Sequence, residues 1–411
     1  MDQKLRKMKK RREFIKTSVI GTAGLAIGGL GFTSKSYGQI VGANNRINVP
    51  TIGPDTQVQN EKAESEFGKF KKIDAHMHIS SDADYLREVM DYLNLKMFVM
   101  CNEGLKLDRL KYQIEVAIDI CQKYPRYYSW QTTFGFERMY EPDWTNRVNQ
   151  HIKEGFDKGA LAVKVWKEVG MQLKNPKGEF VQIDDPIFDP ILNYITKEGK
   201  PLFTHIGDPV SNWLFVGPDG EQNRWYKKDA GIASNRIGEF RGEVPHDKLI
   251  LAHDRMLLKH PDLKVIGCHM GSTSFDVEVT ARRLDRYPNF ALEPSAVLPY
   301  LMGQAREKVR AFFIKYQDRI LYASDKSGGL VATNFMVDMS KVNLRWTQEE
   351  VKEEKKKLMQ NYNDEFTYYC TDNEINRGTY SIRGLALPDD VLHKFFYTNA
   401  VKWVPGINEA F

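Results

Sequence analysis

The amino-acid sequence predicts an α/β fold that closes into a TIM-like (β/α)8 barrel, and two observations support this. Eight short apolar stretches follow one another from about residue 70, and amphipathic helical patterns separate most of them. Strands that alternate with helices pair in parallel through right-handed crossovers, and eight such units close into a barrel. A doubly wound open sheet is the alternative. The predicted strands are Lys72–Ile79, Lys96–Cys101, Tyr127–Phe134, Leu161–Trp166, Pro201–His205, Lys264–His269, Phe290–Glu293 and Ile320–Ser324.

Length and composition fit one barrel with additional helices. The chain has 411 residues, of which 42% are hydrophobic, and barrels of this size form one unit. We expect the barrel and its C-terminal helices to span residues 70–404. The charged run 348–357 predicts an exposed helix face, which Thr347 and Glu350 cap. The clearest helical patterns between strands are Tyr112–Lys123, Thr145–Lys158, Pro186–Glu198 and Ala305–Lys315.

The first 38 residues have the layout of an export signal. A basic stretch, 4–16, precedes an uncharged stretch, 17–33, which is shorter than the roughly 20 apolar residues that a stable membrane helix needs. Arg11 and Arg12 stand before a short apolar pair and a lysine, which resembles the twin-arginine signal of bacteria. A basic helix on a membrane surface, or an uncleaved anchor, is the alternative interpretation.

The predicted signal determines what we expect of the mature protein. Residues 1–38 would be recognised by the twin-arginine machinery and removed, leaving a periplasmic or secreted protein with no stable membrane span. Residues 39–69 are polar and without periodicity, which predicts a linker or a surface arm. Because the segment 1–38 holds nine basic and two acidic residues, the net charge of +5 becomes slightly negative once it is removed. A nucleic-acid partner is therefore not expected.

Two histidines on the first predicted strand are the sharpest chemical signal. His76 and His78 are alternate residues of a strand, so their imidazoles share one face. Paired imidazoles suit a divalent cation. Three further residues of metal-binding type end or follow other predicted strands, and the ends of barrel strands meet at one mouth. They are His205, His269 and Asp325.

These strand ends resemble the motifs of the amidohydrolase superfamily, and most closely its amidohydrolase-related branch, which includes aminocarboxymuconate semialdehyde decarboxylase. The resemblance runs from about residue 70 to residue 404. It implies that His76, His78, His205 and Asp325 hold one catalytic metal, usually zinc, and that His269 contacts the attacking water or the substrate. The motifs are Ile73-Asp74-Ala75-His76-Met77-His78, Thr204-His205, Cys268-His269-Met270-Gly271 and Ala323-Ser324-Asp325.

Lys164 lies inside an apolar strand and leaves two interpretations open. It pairs with a carboxylate near the site, or it is carboxylated and bridges two metals, as in some branches of the superfamily. Glu293 ends the seventh strand, and we expect it to pair with Arg282, Arg283 or Lys164. His151 and His260 are expected at the surface. The long connection after His205 favours a substrate lid with Arg224, Trp225 and Tyr226, and local packing of these residues is the alternative.

The favoured function is a metal-dependent hydrolase. The metal would activate water, Asp325 would accept the proton, and His269 would polarise a small substrate with a carbonyl or carboxylate group. A non-oxidative decarboxylase with the same residues is the first alternative, and a barrel that binds a ligand without catalysis is the second. The substrate and the oligomeric state stay open, with a homo-oligomer as one option.

Overall fold

The computed structural model describes residues 65–102, 104–208, 210, 244–329, 346–376 and 381–411. The predicted signal, most of the predicted linker and the predicted lid residues Arg224, Trp225 and Tyr226 lie outside these ranges. Eight of the described strands form one parallel sheet: β1 (Lys72–Ile79), β2 (Leu95–Met100), β3 (Tyr128–Thr132), β4 (Ala160–Val165), β5 (Leu202–Thr204), β6 (Val265–Gly267), β7 (Phe290–Leu292) and β8 (Lys326–Gly328). Their order in the sheet is β7-β6-β5-β4-β3-β2-β1-β8.

Helices connect consecutive strands, as the alternation in the sequence predicted. They are α1 (Asp84–Leu93), α2 (Leu107–Lys123), α3 (Trp144–Asp157), α4 (Glu168–Met171), α5 (Asp189–Lys197), α6 (His246–Lys259), α7 (Cys268–Gly271), α8 (Val277–Arg286), α9 (Leu298–Met302), α10 (Arg306–Lys315), α11 (Gln348–Cys370), α12 (Asp389–His393) and α13 (Asn399–Trp403). Shorter helical turns lie at Pro186–Phe188 and Lys394–Thr398, and an antiparallel ribbon joins β9 (Glu374–Asn376) to β10 (Ser381–Arg383). No helix of the described ranges is long and apolar enough to cross a membrane.

The sheet closes on itself between β7 and the segment that leads into β8. Leu292 pairs in parallel with Ile320. The Leu292 N–H donates to the Arg319 carbonyl over 2.9 Å, and the Leu321 N–H donates to the Leu292 carbonyl over 2.9 Å. Together with the pairing of β8 with β1, these bonds complete a barrel. The predicted (β/α)8 barrel is confirmed, and the open sheet is excluded.

The eighth strand differs from the prediction in its position. The sequence predicted a strand at 320–324, whereas the regular ladder with β1 lies at 326–328. The predicted segment and the residue after it are joined to β1 by isolated bonds, from the Ala75 N–H to the Tyr322 carbonyl and from the Asp325 N–H to the His76 carbonyl, each over 2.9 Å. Asp74 explains the difference, because its carboxylate accepts the Ser324 N–H at 3.0 Å, where a backbone carbonyl would continue the ladder. The same carboxylate accepts the His76 N–H at 3.1 Å. A side chain therefore replaces a backbone acceptor between these two strands.

The barrel interior is filled by small and apolar side chains from one face of the strands. These buried residues are Ile73, Ala75, Phe98, Met100, Ala162, Phe203, Ile266, Cys268, Ala291, Leu321 and Ala323. Four C-terminal residues pack against the same cluster, namely Ala400, Trp403, Val404 and Ile407. Because strand ends carrying polar side chains occupy the opposite end, the C-terminal segment forms the floor of the barrel and leaves its mouth to the functional residues.

The predicted cap of α11 is also confirmed. The Thr347 hydroxyl accepts the Glu350 N–H over 3.2 Å, and the Glu350 carboxylate accepts the Thr347 N–H over 2.7 Å. Both bonds satisfy backbone donors that the first helical turn leaves without partners. This cap fixes the start of a long helix that contributes Tyr362 and Glu365 to the interior.

Candidate metal centre

The five residues that the sequence assigned to the mouth are all buried at strand ends. His205 and Asp325 each stand two residues beyond an interior side chain, Phe203 and Ala323, and strand periodicity turns them to the same side. The register of β1 shifts between Asp74 and Met77, so His76 follows an interior alanine directly. The exposed fractions are 0% for His76, 5% for His78, 0% for His205, 4% for His269 and 3% for Asp325.

Three of these side chains bring ligand atoms to one point. Asp325 Oδ1 lies 3.1 Å from His78 Nε2 and 3.4 Å from His76 Nε2. Ligands held about 2.0–2.1 Å from a tetrahedral zinc ion lie about 3.3 Å from one another. The spacing of these atoms therefore fits a small divalent cation, and two imidazoles with one carboxylate are ligands that such a cation takes.

His205 and His269 form a second pair beside this group. His205 Nδ1 lies 3.1 Å from His269 Nε2, and the two rings meet edge to face with centroids 4.2 Å apart. His269 also joins the first group, because it, His76 and Asp325 each offer a ligand atom within 4.8 Å of the others. His205 thus reaches the group through His269, while its Nε2 lies 3.8 Å from Asp208. The structure brings all five predicted residues into one cluster.

Burial and neighbouring side chains shift the pKa values of three residues in the cluster. Burial, with the neighbouring Lys164 as the next cause, lowers the pKa of His76 well below its usual value. Burial and the adjacent His269 likewise lower the pKa of His205. Burial opposes ionisation of Asp325, but the His76 and His78 imidazoles outweigh it and lower the pKa of this carboxyl to about 2. Neutral imidazoles beside an ionised carboxylate are the states in which these groups bind metal.

Two residues of the cluster have an unusual backbone conformation. His269 has φ +56° and Asp325 has φ +58°, in the left-handed region that residues with a side chain rarely adopt. Met270 and Ser272 continue the same conformation after β6. Such strain persists only where surrounding contacts over-determine it, and it concentrates at functional sites.

A polar network beneath β1 and β8 holds Asp325 in place. The buried Asp74 carboxylate accepts from the Ser324 N–H and from the Tyr362 hydroxyl, over 3.0 and 2.7 Å. Burial raises the pKa of Asp74 to about 7, against the lowering effect of its Ser324 and Tyr362 partners. Glu365, also on α11, accepts from the Tyr322 hydroxyl over 2.7 Å and pairs with Lys326. The helix after the barrel therefore anchors both sides of Asp325.

A second network holds the strand ends of β5 and β6 from behind. The Arg283 guanidinium donates to the Gly271 carbonyl over 2.7 Å, to Asp254 over 2.8 Å and to His253 Nδ1 over 2.6 Å. Because His253 Nδ1 accepts that bond, its Nε2 carries the proton and donates to the Thr204 hydroxyl over 2.9 Å. Arg283 is thereby connected both to the turn of His269 and to the residue before His205.

Two lysines lie close to the cluster, and the ion pair predicted between Lys164 and a carboxylate is not found among the described residues. Lys164 Nζ donates to His76 Nε2 over 3.0 Å, and within the described ranges no carboxylate pairs with it. Lys167, three residues further on, forms a buried ion pair with Asp208. A cation bound at His76 Nε2 would displace the Lys164 contact, so Lys164 has to lose its proton, become carboxylated or turn away when metal binds.

Glu293 does not have the partner that the sequence predicted. Its Oε1 lies 2.6 Å from His76 Nδ1, and Arg283 and Lys164 bond elsewhere. Sequence reasoning also missed Asp74 and Ser295 as supporting residues. Asp74 could have been found, because it stands two residues before His76 on the same strand. Ser295 follows the end of β7, and nothing in its spacing distinguishes it from an ordinary loop serine.

Buried imidazoles and a carboxylate at the mouth of a (β/α)8 barrel define a metal-binding enzyme of the barrel class. The amidohydrolase family model, in its second branch, matches residues 73–406, which is most of the chain. The protein therefore belongs to the amidohydrolase family, whose members are metal-dependent enzymes. This membership confirms the resemblance that the strand-end motifs predicted.

The chain is similar, at low sequence identity, to several solved structures. A 2,6-dihydroxybenzoate decarboxylase from Rhizobium is 13% identical, covers 82% of this chain and 98% of its own, and has a TM-score of 0.46. A 4-oxalomesaconate hydratase from Rhodopseudomonas palustris is 11% identical, covers 81% and 95%, and has a TM-score of 0.41. A TIM-barrel protein from Bordetella bronchiseptica is 14% identical, covers 82% and 99%, and has a TM-score of 0.41. No curated protein sequence matches the chain significantly.

Proposed function

We propose that this protein is a hydrolase that activates water at one divalent metal and cleaves a small substrate carrying a carbonyl or carboxylate group. The proposal rests on one buried cluster of potential ligand atoms. In it, Asp325 Oδ1 lies 3.1 Å from His78 Nε2 and 3.4 Å from His76 Nε2. We assign His205 as the fourth ligand and zinc as the metal. Membership of the amidohydrolase family supports metal-dependent catalysis in general.

Asp325 and His269 have separate roles in this proposed hydrolysis. A divalent metal at this point supplies Lewis acidity and makes water nucleophilic at neutral pH. The Asp325 carboxylate, ionised because of its neighbours, takes the proton of the attacking water and delivers it to the leaving atom. His269 Nε2, which lies 3.1 Å from His205 Nδ1, is the atom that we assign to the substrate. To polarise a carbonyl oxygen, it has to carry a proton on Nε2 in addition to Nδ1.

Decarboxylation is the second candidate, supported by the buried cations beside the cluster. Lys164 and Lys167 are both fully buried, in β4 and just beyond it. Lys167 is paired with Asp208, so Lys164 is the ammonium group that could orient a substrate carboxylate. A barrel that binds its ligand without turnover is the third candidate. A panel of amides, esters, lactones and unsaturated or aromatic acids, assayed for hydrolysis and for CO2 release, separates the three. Hydrolysis without CO2 supports our proposal, and CO2 release alone replaces it with the second.

Metal content tests the proposal before any substrate is known. We predict about one divalent ion per chain in protein purified without chelator, measured by elemental analysis. The matched variants are His76→Gln, which removes one ligand, and His393→Gln, which removes a histidine on α12 away from the cluster. We expect loss of the ion in the first variant and retention in the second. Metal-free wild-type protein would contradict the whole metal-based proposal.

A carboxylated Lys164 is the alternative arrangement, with two metals and with His205 and His269 binding the second. The absence of a carboxylate partner for Lys164 in the described part of the chain favours it, since a buried ammonium ordinarily has one. Two ions per wild-type chain, with one lost in Lys164→Ala, would establish this model in place of the single-metal one.

We also propose that the protein is exported through the twin-arginine machinery and acts in the periplasm or outside the cell. Arg11 and Arg12 and the weakly apolar stretch after them support the proposal. This route carries folded proteins, so the metal would be bound before export. A small-molecule substrate is then the partner of the mature protein.

A further inference from the structure

The turn after β7 contacts two histidines of the cluster at once. Glu293 Oε1 lies 2.6 Å from His76 Nδ1, and the Ser295 carbonyl lies 2.8 Å from His269 Nδ1. The Ser295 hydroxyl lies between the two rings, 3.2 Å from His76 Nδ1 and 3.0 Å from His269 Nδ1. Glu293 and Ser295 are completely buried. One short segment therefore faces the Nδ1 atoms of both imidazoles.

These contacts determine where each neutral imidazole carries its proton. Carboxylate and carbonyl oxygens only accept hydrogen bonds, so Nδ1 has to be the donor in both rings. Nε2 then keeps its lone pair, and in both rings Nε2 faces the cluster. On the other side of His76, Lys164 Nζ, a donor, lies 3.0 Å from Nε2 and is closer than the acceptor Asp325 Oδ1 at 3.4 Å, which agrees with this assignment. For His269, Nε2 lies 3.1 Å from His205 Nδ1.

We propose that residues 293–295 set the tautomers of His76 and His269, and that the tautomer of His76 in turn sets the metal affinity of the site. Glu293 and Ser295 are positioning residues in this role, since they act through the two imidazoles. An imidazole that carries its proton on Nε2 cannot bind a metal through that atom. The inference rests on the metal centre of the proposed function and adds the residues that prepare it.

Glu293 is suited to this role because both of its oxygens are engaged as acceptors. Oε2 accepts the Ser295 N–H over 2.6 Å while Oε1 accepts from His76. A glutamine at this position has only one acceptor oxygen. If that oxygen serves the Ser295 N–H, the amide NH2 faces His76 Nδ1 and forces the proton to Nε2. If it serves His76 instead, two donors face each other at Ser295, whose backbone N–H cannot give up its proton. The first orientation is therefore favoured, because the imidazole can move its proton to Nε2.

The test is Glu293→Gln in the full-length protein, with Glu365→Gln as the matched control. Glu365 is also a buried glutamate, but its partners are Tyr322 and Lys326 and no histidine. Two-bond proton–nitrogen spectra of protein with 15N-labelled histidine distinguish Nδ1–H from Nε2–H, and His76→Gln assigns the signal. Zinc affinity is measured by competition with a chromogenic chelator.

We expect wild-type His76 to carry its proton on Nδ1 both before and after removal of metal. In Glu293→Gln we expect a shift towards Nε2–H and a zinc dissociation constant about 10–100-fold higher. Glu365→Gln should keep Nδ1–H, even if its melting temperature falls. Unchanged tautomers in Glu293→Gln would overturn the proposal, because a purely structural role lowers stability without moving the proton.

Two outcomes separate this inference from the proposed function. Nε2–H on His76 in wild-type protein overturns the inference even if Glu293→Gln fails to fold, and it leaves the metal content to be judged by elemental analysis. Wild-type protein that shows Nδ1–H but binds no zinc overturns the proposed function and the link to metal affinity, while the tautomer assignment stands.

Discussion

Asp325 combines close side-chain contacts to two histidines with a strained backbone conformation. Its carboxylate approaches two imidazoles, its backbone is left-handed at φ +58°, and its N–H donates to the His76 carbonyl over 2.9 Å. The backbone strain costs of order 1–3 kcal/mol and has to be offset by the surrounding contacts. Aspartate and asparagine tolerate this conformation better than most residues do. The residue therefore combines a ligand atom with a backbone that few side chains allow.

We predict that Asp325→Asn keeps the fold but loses catalysis. An amide oxygen still accepts hydrogen bonds, and asparagine suits the left-handed backbone, so the melting temperature should stay close to that of wild type. An amide cannot take the proton of the attacking water, and positioned acid–base groups contribute about 10²–10⁴-fold in rate. The measurement is kcat with an identified substrate, together with the metal content of the variant.

Asp318→Asn is the control, since this carboxylate lies at the surface and pairs with Lys394. It should retain wild-type turnover. If metal-loaded Asp325→Asn also turns over at the wild-type rate, the role of Asp325 as proton acceptor is wrong. Asp325 would then serve only as a ligand or as a structural residue of the loop.

At the scale of secondary structure, helices outside the barrel hold the strand ends that carry the cluster. Arg283 on α8 binds the Gly271 carbonyl, which closes the left-handed turn of His269. Tyr362 on α11 binds Asp74, whose carboxylate in turn holds Ser324. Both helices reach the mouth through side chains that are almost completely buried. The precise placement of the cluster therefore depends on helices that contribute none of its five residues.

We predict that Arg283→Lys weakens both stability and metal binding. The Arg283 guanidinium donates hydrogen bonds to Asp254, to the Gly271 carbonyl and to His253, and a lysine ammonium cannot reach all three acceptors. Each buried acceptor left without a donor costs about 1–3 kcal/mol. The urea midpoint of unfolding should fall, and zinc should bind less tightly because the turn of His269 loses its support.

The control is Arg282→Lys, an exposed neighbour on the same helix. Its midpoint and zinc affinity should match those of wild type. Equal midpoints for the two variants would show that the Arg283 contacts contribute little, and that other contacts hold the left-handed turn.

The sequence predicted the bounds of a strand correctly where only backbone pairing determines them. β1 was predicted at its observed bounds, and the other strands through β7 within two residues. The eighth strand was misplaced because Asp74 takes over a backbone acceptor, which no hydrophobic pattern reveals. His260 was expected at the surface but is 7% exposed, since Asn193 and Asp189 each approach a ring nitrogen at 3.1 Å. Partners distant in sequence decide such positions.

The same limit applies to the candidate site. The residue types and strand ends predicted the cluster of His76, His78, His205, His269 and Asp325, because strand ends of a barrel must meet. The partner of Glu293 could not be predicted, since the choice between an arginine, a lysine and an imidazole depends on side-chain direction across the barrel. The same three-dimensional arrangement decides that His205 contacts His269, which in turn lies beside His76 and Asp325.

At the scale of the whole molecule, export is the property that the sequence predicts most directly. We predict that replacing Arg11 and Arg12 by Lys abolishes delivery to the periplasm, because the twin-arginine receptor reads this pair. Cell fractionation of the expressing bacterium measures it. Replacing Lys9 and Lys10 by Arg, which also keeps the charge, should leave delivery intact. Periplasmic protein at the wild-type level in the Arg11/Arg12 variant would rule out this route.

The floor of the barrel has a consequence for the order of assembly. Ala400, Trp403, Val404 and Ile407 cover the lower interior, yet they leave the ribosome long after β1 to β8. Until they arrive, an apolar surface at the base of the barrel stays open to water and to other nascent chains, which is a condition that favours aggregation and chaperone capture. Folding can therefore be completed only after this segment has been translated, and a chain that ends before residue 400 would leave the apolar base of the barrel exposed to water.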